Sequence, residues 1–432
     1  MKVTVCDARP ASSVVGSVFF DEPTRSANMS GPLVRVAGWL TTTEVLGPHL
    51  ELRYGSQPVG SVSLLPRLEV ARSLGLAEPN RAYGFDGLVN LLSLGQSSCL
   101  TAWAVSGNGV PIPAFICSTK INLPPSSVQH SDRVQPCYIV SLGRSGSTAL
   151  MKMLNQQPGI AMKDQYPLEC MHSAWLARDV LQHTSPANHN TLGPADVWDL
   201  ASGTCASPFL HPDFVPYEEI CRYGSRTFDA ACERALQLLI DFYFAEISAL
   251  PGARIKIVEK AVPSALLNVL SWVFPQSRFI FLVRHPADVF LSRWSFALKR
   301  GDRGFGGSGD RDPLGLRKLA YDCARLLDCI EALHAERAHV VRFEDLMDDP
   351  ASSITRICKF LGLPSNARTN VNLPIDDLGH RTSSTTQRWQ EEMSDDVLRE
   401  IGHSCAAHLS KFGYEFDRSS TDARSITHSI SV

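Results

Sequence analysis

Residues 137–154 read CYIVSLGRSGSTALMKML, and this stretch limits the possible fold more than any other. The apolar run Tyr138-Ile139-Val140 has the character of a buried strand. A loop of small polar residues follows from Ser141 to Thr148, and then Leu150, Met153 and Leu154 share one face of a helical pattern. Strand, Gly/Ser loop and helix start in direct succession make an anion cradle. Successive backbone N–H groups point into such a loop, and the helix adds its positive dipole end. Arg144 supplies a permanent charge. Ser145, Ser147 and Thr148 supply hydroxyl donors, and the amides from Ser145 through Gly146 to Thr148 complete the pocket. A terminal phosphate, or a group of the same shape, suits it.

The loop differs from the nucleoside triphosphate version of this design. That version needs a Lys directly after the last Gly, reaching the outer phosphates, and a hydroxyl on Mg²⁺. Here Ser147 follows Gly146, and the cation stands earlier, at Arg144.

A second segment, RFIFLVRHPADVFLSRWSF at 278–296, repeats the arrangement. Phe279 to Val283 is a continuous apolar strand candidate, and Arg284 follows at its carboxyl end. Pro286 is suited to open a helix, because its fixed φ and missing N–H cost nothing in the first turn. Val289, Phe290, Trp294 and Ala297 share one face of that helix, and Ser292 lies on another. Arg284 and Ser292 together offer a fork of donors and a hydroxyl to one anion.

Taken together, the two segments resemble the sulfotransferase superfamily. The first is similar to its 5′-phosphosulfate loop. The second is similar to its 3′-phosphate motif, standing here as Arg284-His285-Pro286-Ala287-Asp288 and then Ser292. Glu259-Lys260-Ala261-Val262-Pro263 looks like an E-K-x-P segment with Pro one residue late. Val341-Arg342-Phe343-Glu344-Asp345-Leu346, Asp349-Pro350 and Phe360-Leu361-Gly362-Leu363-Pro364 look like the family's V-R-Y-E-D-L…P…F-L-G-L-P run. Arg388-Trp389 and Gly413-Tyr414 are similar to its closing segments. The resemblance spans about residues 135–417 in the expected order.

The resemblance implies a donor, 3′-phosphoadenosine 5′-phosphosulfate (PAPS), with anions at two ends of a nucleoside. It implies sulfuryl transfer to a hydroxyl acceptor without a metal. Arg144 would stabilise charge growing on the departing 5′-phosphate. An Arg cannot give up its proton at neutral pH, so this role is electrostatic. Arg284 and Ser292, with Arg388 from the C-terminal segment, would hold the 3′-phosphate or adenosine. For the base that takes the acceptor's proton, Glu169 is the first choice, and Asp164, His172 and Glu259 are competitors. Lys260 either meets the phosphosulfate or pairs with a carboxylate. An Arg in the loop is common among members acting on sugars, so the expected acceptor is a glycan or glycolipid.

The order of elements implies an α/β domain over 137–417, with a mostly parallel sheet flanked by helices. The first third reads differently. Short strand candidates separated by Gly, Pro and Asn turns, such as 33–40, 59–65 and 100–105, predict a small β-sandwich over 31–121. Gly38-Trp39, the 66–71 segment and Gly84-Phe85 resemble accessory β-domains beside bacterial carbohydrate-active enzymes. Residues 122–136, with Pro124-Pro125, read as a linker, and residues 1–30 and 418–432 as loose ends. The stretch 175–230, with Trp175, His183, Trp198, His211 and Tyr217, is expected to shape the acceptor pocket.

Composition narrows the class. The net charge of −3 excludes the basic sheath of a nucleic-acid binder. The 12 Cys contain no C-x-x-C and the 13 His show no metal spacing, so reduced thiols and a cytoplasmic setting are expected. The N-terminus makes a poor export signal, and no stretch reaches the roughly 20 apolar residues of a membrane span. These features fit a soluble, bacterial-type member. Two rival classes remain: a P-loop kinase of a small metabolite, and a non-catalytic glycan-binding protein in which the β-domain does the work.

Overall fold

The computed structural model describes residues 2–23, 26–28, 32–54, 57–78, 81–94, 97–122, 134–163, 170–184, 216–250, 254–300, 313–333, 335–363 and 387–415. The chain opens with strands β1 (Lys2–Pro10), β2 (Val15–Glu22), β3 (Ser26–Asn28), β4 (Leu33–Thr42), β5 (Leu46–Tyr54) and β6 (Gln57–Pro66). A short helix α1 (Leu68–Ser73) precedes β7 (Ala82–Asn90), β8 (Ser97–Ser106) and β9 (Pro111–Asn122). These strands form one antiparallel sheet, ordered β2-β4-β7-β6-β5-β8-β9-β1-β3. Period-two alternation builds it. In β4, Val34 and Leu40 are buried, whereas Arg35 meets Asp86 of β7 at 2.7 Å on the other face. The sheet rolls until β1 lies against β2. Phe20, Phe85 and Phe115 then meet inside, with ring centroids 5.2, 5.4 and 5.5 Å apart. The all-β domain is present, and both of its layers come from a single sheet.

One expectation is overturned here. The first 30 residues, expected to be loose, supply β1, β2 and β3. Strand β1 pairs with β9 from Lys2 opposite Asn122 to Pro10 opposite Phe115. A partner from the far end of the domain orders it, and no local pattern announces such a partner. The expected linker is also shorter than 122–136, since the next strand already starts at Val134; residues 123–133 and 416–432 lie outside the described residues.

The second part contains β10 (Val134–Ser141), α2 (Ser147–Leu154), β11 (Ile160–Ala161), α3 (His172–Thr184), α4 (Tyr217–Phe242), α5 (Phe244–Ser248) and β12 (Ile255–Ala261). It continues with α6 (Leu266–Val273), β13 (Arg278–Val283), α7 (Pro286–Arg300), α8 (Pro313–Ala332), β14 (Ala338–Arg342), α9 (Phe343–Asp348) and α10 (Pro350–Leu361). Helices α11 (Trp389–Glu392), α12 (Asp395–Ser404) and α13 (Ala406–Lys411) close it. The five strands run in the order β11-β12-β10-β13-β14, and every pairing is parallel.

The continuous apolar character of β10 and β13 follows from burial on both faces. Cys137, Ile139, Ile280 and Leu282 pack with Leu150, Met153 and Leu154 of α2 and with Leu346 and Ile357 of α9 and α10. Tyr138, Val140, Phe279 and Phe281 face the opposite layer, with Leu239, Val269 and Leu326 from α4, α6 and α8. From β10 the chain crosses toward β11 and β12, and from β13 it crosses the other way to β14. The carboxyl ends of β10 and β13 are therefore the topological switch point, where ligands of such sheets bind.

The β-domain is not a free appendage. Trp272 Nε1 of α6 donates to the Leu94 carbonyl at 3.2 Å. Leu33 and Leu88 pack on Ile220 of α4 in a shared buried cluster. Each such buried apolar side chain contributes about 1.5–3 kcal/mol, so the two parts share one core.

Candidate functional site

The loop between β10 and α2 has two residues in the left-handed region, Arg144 at φ 74° and Gly146 at φ 91°. Gly146 is required twice over. Its φ suits glycine, and a Cβ there would stand 2.2 Å from Cε2 of Phe343. Arg144 pays for its conformation with steric strain on the order of 1–2 kcal/mol, a sign that the surrounding structure dictates the loop's shape. The first N–H groups of α2, at Ser147 and Thr148, have no partners within their own helix.

The register explains what surrounds the loop. Ser141 pairs with Leu282, so the residues after β10 and those after β13 emerge side by side. Arg284, 6% exposed, donates from Nη1 to the Arg144 carbonyl at 3.2 Å. Arg293, on α7, donates from Nε to the Gly143 carbonyl at 3.2 Å and pairs through Nη2 with Asp322 at 2.8 Å. Two carbonyl oxygens that would repel an anion are thus turned back toward buried cations. The Arg144 side chain is exposed and reaches Ser292, with Nε 3.4 Å from Oγ, and its guanidinium lies 4.6 Å over the Phe296 ring. The structure therefore brings Arg144, Arg284 and Ser292 into one crevice. Ser145 is buried, and among the described residues its Oγ finds no hydrogen-bond partner, which leaves a donor for a ligand.

The remaining motif residues hold this crevice together. Burial weakens the proton affinity of Arg284, and Asp288 and Glu344 nearby act the other way; the guanidinium stays charged. It lies 4.5 Å over the Phe343 ring, the same ring that closes on Gly146. Glu344 accepts from the His285 backbone N–H at 3.0 Å and from the Tyr414 hydroxyl at 2.8 Å, joining three segments distant in sequence. Trp389 stacks on His285 at 4.7 Å. Burial holds His285 down to about 4, so its ring is neutral. Asp288 accepts from the Gln387 N–H at 2.9 Å, which places the Arg388 segment beside α7. Arg388 itself is paired with Glu392 at 2.7 Å.

The base candidates divide. Glu169 and Asp164 lie outside the described residues, as do Trp198 and His211. Glu259 is fully buried at the N-terminus of α3. It accepts from the backbone of His172 at 3.0 Å, from the backbone of Ser173 at 2.9 Å, from the Ser173 hydroxyl and from the Tyr243 hydroxyl at 2.9 Å. Burial raises its pKa and those donors oppose the rise; the carboxylate is spent on capping a helix. His172 stacks on Phe242 at 4.1 Å, and burial lowers its pKa. Trp175 is exposed and His183 approaches Asp179 at 3.5 Å.

Sequence reasoning missed Arg293. A signal existed: it falls on the helical stripe of Val289, Phe290 and Ala297, all buried, where a charge needs a reason. On the β12 side of the loop, Ser141 to Gly143, Val262-Pro263, Asp322 and Arg325 line a cavity of about 190 Å³.

The fold is that of an α/β protein whose parallel sheet brings Arg144, Arg284 and Ser292 together at the carboxyl ends of β10 and β13. Residues 136–367 match the family described as the Sulfotransferase family, and the chain belongs to that family. Carbohydrate sulfotransferase 2 of Mus musculus is 22% identical over 367 residues, covering 69% of this chain and 68% of the relative. The human protein of the same name matches at 22% over the same shares. Among solved structures, the sulfotransferase domain of the Synechococcus PCC 7002 olefin synthase aligns at 21% identity and a TM-score of 0.40, over 66% of this chain and 97% of that one. The sulfotransferase domain from the curacin biosynthetic pathway aligns at 19% and 0.39, over 66% and 99%.

Proposed function

We propose that the protein transfers a sulfuryl group from PAPS to a hydroxyl of a glycan or glycolipid. The observation that carries this reading is the meeting of the two anion-binding elements at the switch point, with Arg144 within 3.4 Å of Ser292 and Arg284 on the Arg144 carbonyl. A nucleoside with anions at both its 3′ and 5′ positions matches that pair. The carbohydrate sulfotransferase relatives favour a sugar acceptor.

In this reading the loop amides, Ser145, Ser147, Thr148 and Arg144 bind the 5′ end, and Arg284, Ser292 and the Arg388 segment bind the 3′ end. The acceptor oxygen forms a bond to sulfur as the bond from sulfur to the bridging oxygen breaks. The acceptor proton passes to a carboxylate, for which Glu169 is the assigned residue. Arg144 and the helix N-terminus stabilise charge that grows on the departing phosphate, more in the transition state than before it. Products are a sulfate ester and 3′-phosphoadenosine 5′-phosphate. The β-domain braces the α/β part through the contact of Trp272 on α6 with Leu94.

Thermal melting with added 3′-phosphoadenosine 5′-phosphate or with ATP and Mg²⁺ tests the donor. Stabilisation by the bisphosphate is expected. Stabilisation by Mg-ATP alone would replace this reading with a kinase.

A further inference from the structure

The cavity beside Gly143 holds two charged side chains from one face of α8, Asp322 and Arg325, three residues apart and hence neighbours on the helix. Their situations differ. Asp322 is neutralised by buried Arg293 at 2.8 Å. Arg325 lies over the Tyr321 ring at 5.3 Å, and among the described residues its buried Nε meets no hydrogen-bond acceptor. Asp328, one turn on, feels its charge without bonding to that Nε. Arg325 thus lines the cavity as a cation with no hydrogen bond or ion pair among the described residues. The cavity's position matters as well. It opens at the ends of β10 and β12, on the opposite side of the loop from Arg284, so a ligand there faces the 5′ end of the donor.

We infer that this cavity selects acceptors carrying an anionic group, a carboxylate or sulfate ester on a sugar, and that Arg325 is the residue that reads it. The inference rests on the proposed sulfotransfer. At about 190 Å³ the cavity is smaller than the roughly 300–1,000 Å³ of a drug-sized site, so it takes a single acidic sugar residue rather than a run of chain. Asp322, fixed by the arginine that also holds Gly143, sets the wall against which that residue lies.

The test compares a glucuronate-containing oligosaccharide with its carboxyl-reduced form, using labelled PAPS. Wild type is expected to use the acidic acceptor with kcat/KM at least tenfold higher, a preference that falls with added salt. Arg325→Gln should erase the preference by raising the acceptor KM, and Arg325→Lys should keep part of it. In both variants the donor KM and the melting shift with 3′-phosphoadenosine 5′-phosphate should stay at wild-type values. Equal use of the two acceptors, use of neither by an enzyme that the bisphosphate stabilises, or a preference that survives Arg325→Gln overturns the inference. A raised donor KM in Arg325→Gln also overturns it, because the side chain then belongs to the donor site. If the bisphosphate fails to stabilise even the wild type, the donor reading itself falls.

Discussion

Gly146→Ala is the sharpest probe of the anion loop. The new Cβ would stand 2.2 and 2.4 Å from two atoms of the Phe343 ring, at a φ of 91°. The backbone contribution is about 1–2 kcal/mol for a left-handed alanine. Forcing a methyl into a packed site adds about 1–3 kcal/mol, so the variant should lose roughly 2–5 kcal/mol in urea unfolding. A second substitution separates the two contributions. Phe343→Leu alone loses the ring beneath buried Arg284, a contact worth about 2 kcal/mol when desolvated. In the double variant the steric part is relieved and the backbone part stays, giving a coupling of about 1–3 kcal/mol. Additive losses, with no coupling, would refute the claim that Phe343 sets the shape of the loop.

Further outcomes follow from the same geometry. Arg144→Ala should lower kcat by two to three orders of magnitude with a labelled donor, the scale seen when one donor to developing charge is removed; full activity would mean the role is misassigned. Arg293→Met should weaken bisphosphate binding and cost about 3–5 kcal/mol, because it strands Asp322 and frees the Gly143 carbonyl; unchanged stability and binding would contradict that. Glu259→Gln should cost stability, about 1–3 kcal/mol in lost helix capping, while leaving the pH profile of kcat in place; a profile that shifts would make Glu259 the base. His285 and His408 are each held down to about 4, first by burial. Their folded values lie below an unfolded value near 6.5, so the unfolded chain takes up protons first as pH falls. Stability is full above about pH 6.5 and should drop by about 2 kcal/mol per histidine between pH 7 and 5. A flat profile over that range contradicts the burial of neutral rings.

Much of the α/β part was legible in the sequence because its signals are local. The apolar runs at 138–140 and 279–283, each followed directly by a loop and a helix, declare buried parallel strands. The contact of Arg144 with Ser292 was not read from the sequence, which assigned the two residues to opposite ends of the expected donor. What escaped depends on approaches between distant residues. Arg293 meets Gly143 across 150 positions, and Phe343 meets Gly146 only because α9 follows the edge strand β14. Strands β1 to β3 escaped for the same reason: their order comes from β9 and β4.

The contact between Trp272 and Leu94 bears on how such a chain can be inherited. Leu91, Leu92 and Leu94 sit in the same buried cluster as Val269 and Phe274, so the boundary in sequence is not a boundary in cohesion. A gene rearrangement that traded the amino-terminal part for another would leave a bare apolar scar on the α/β half. Compatible exchange has to carry matching changes along α6 and α4, and the two halves are bound to evolve as one piece.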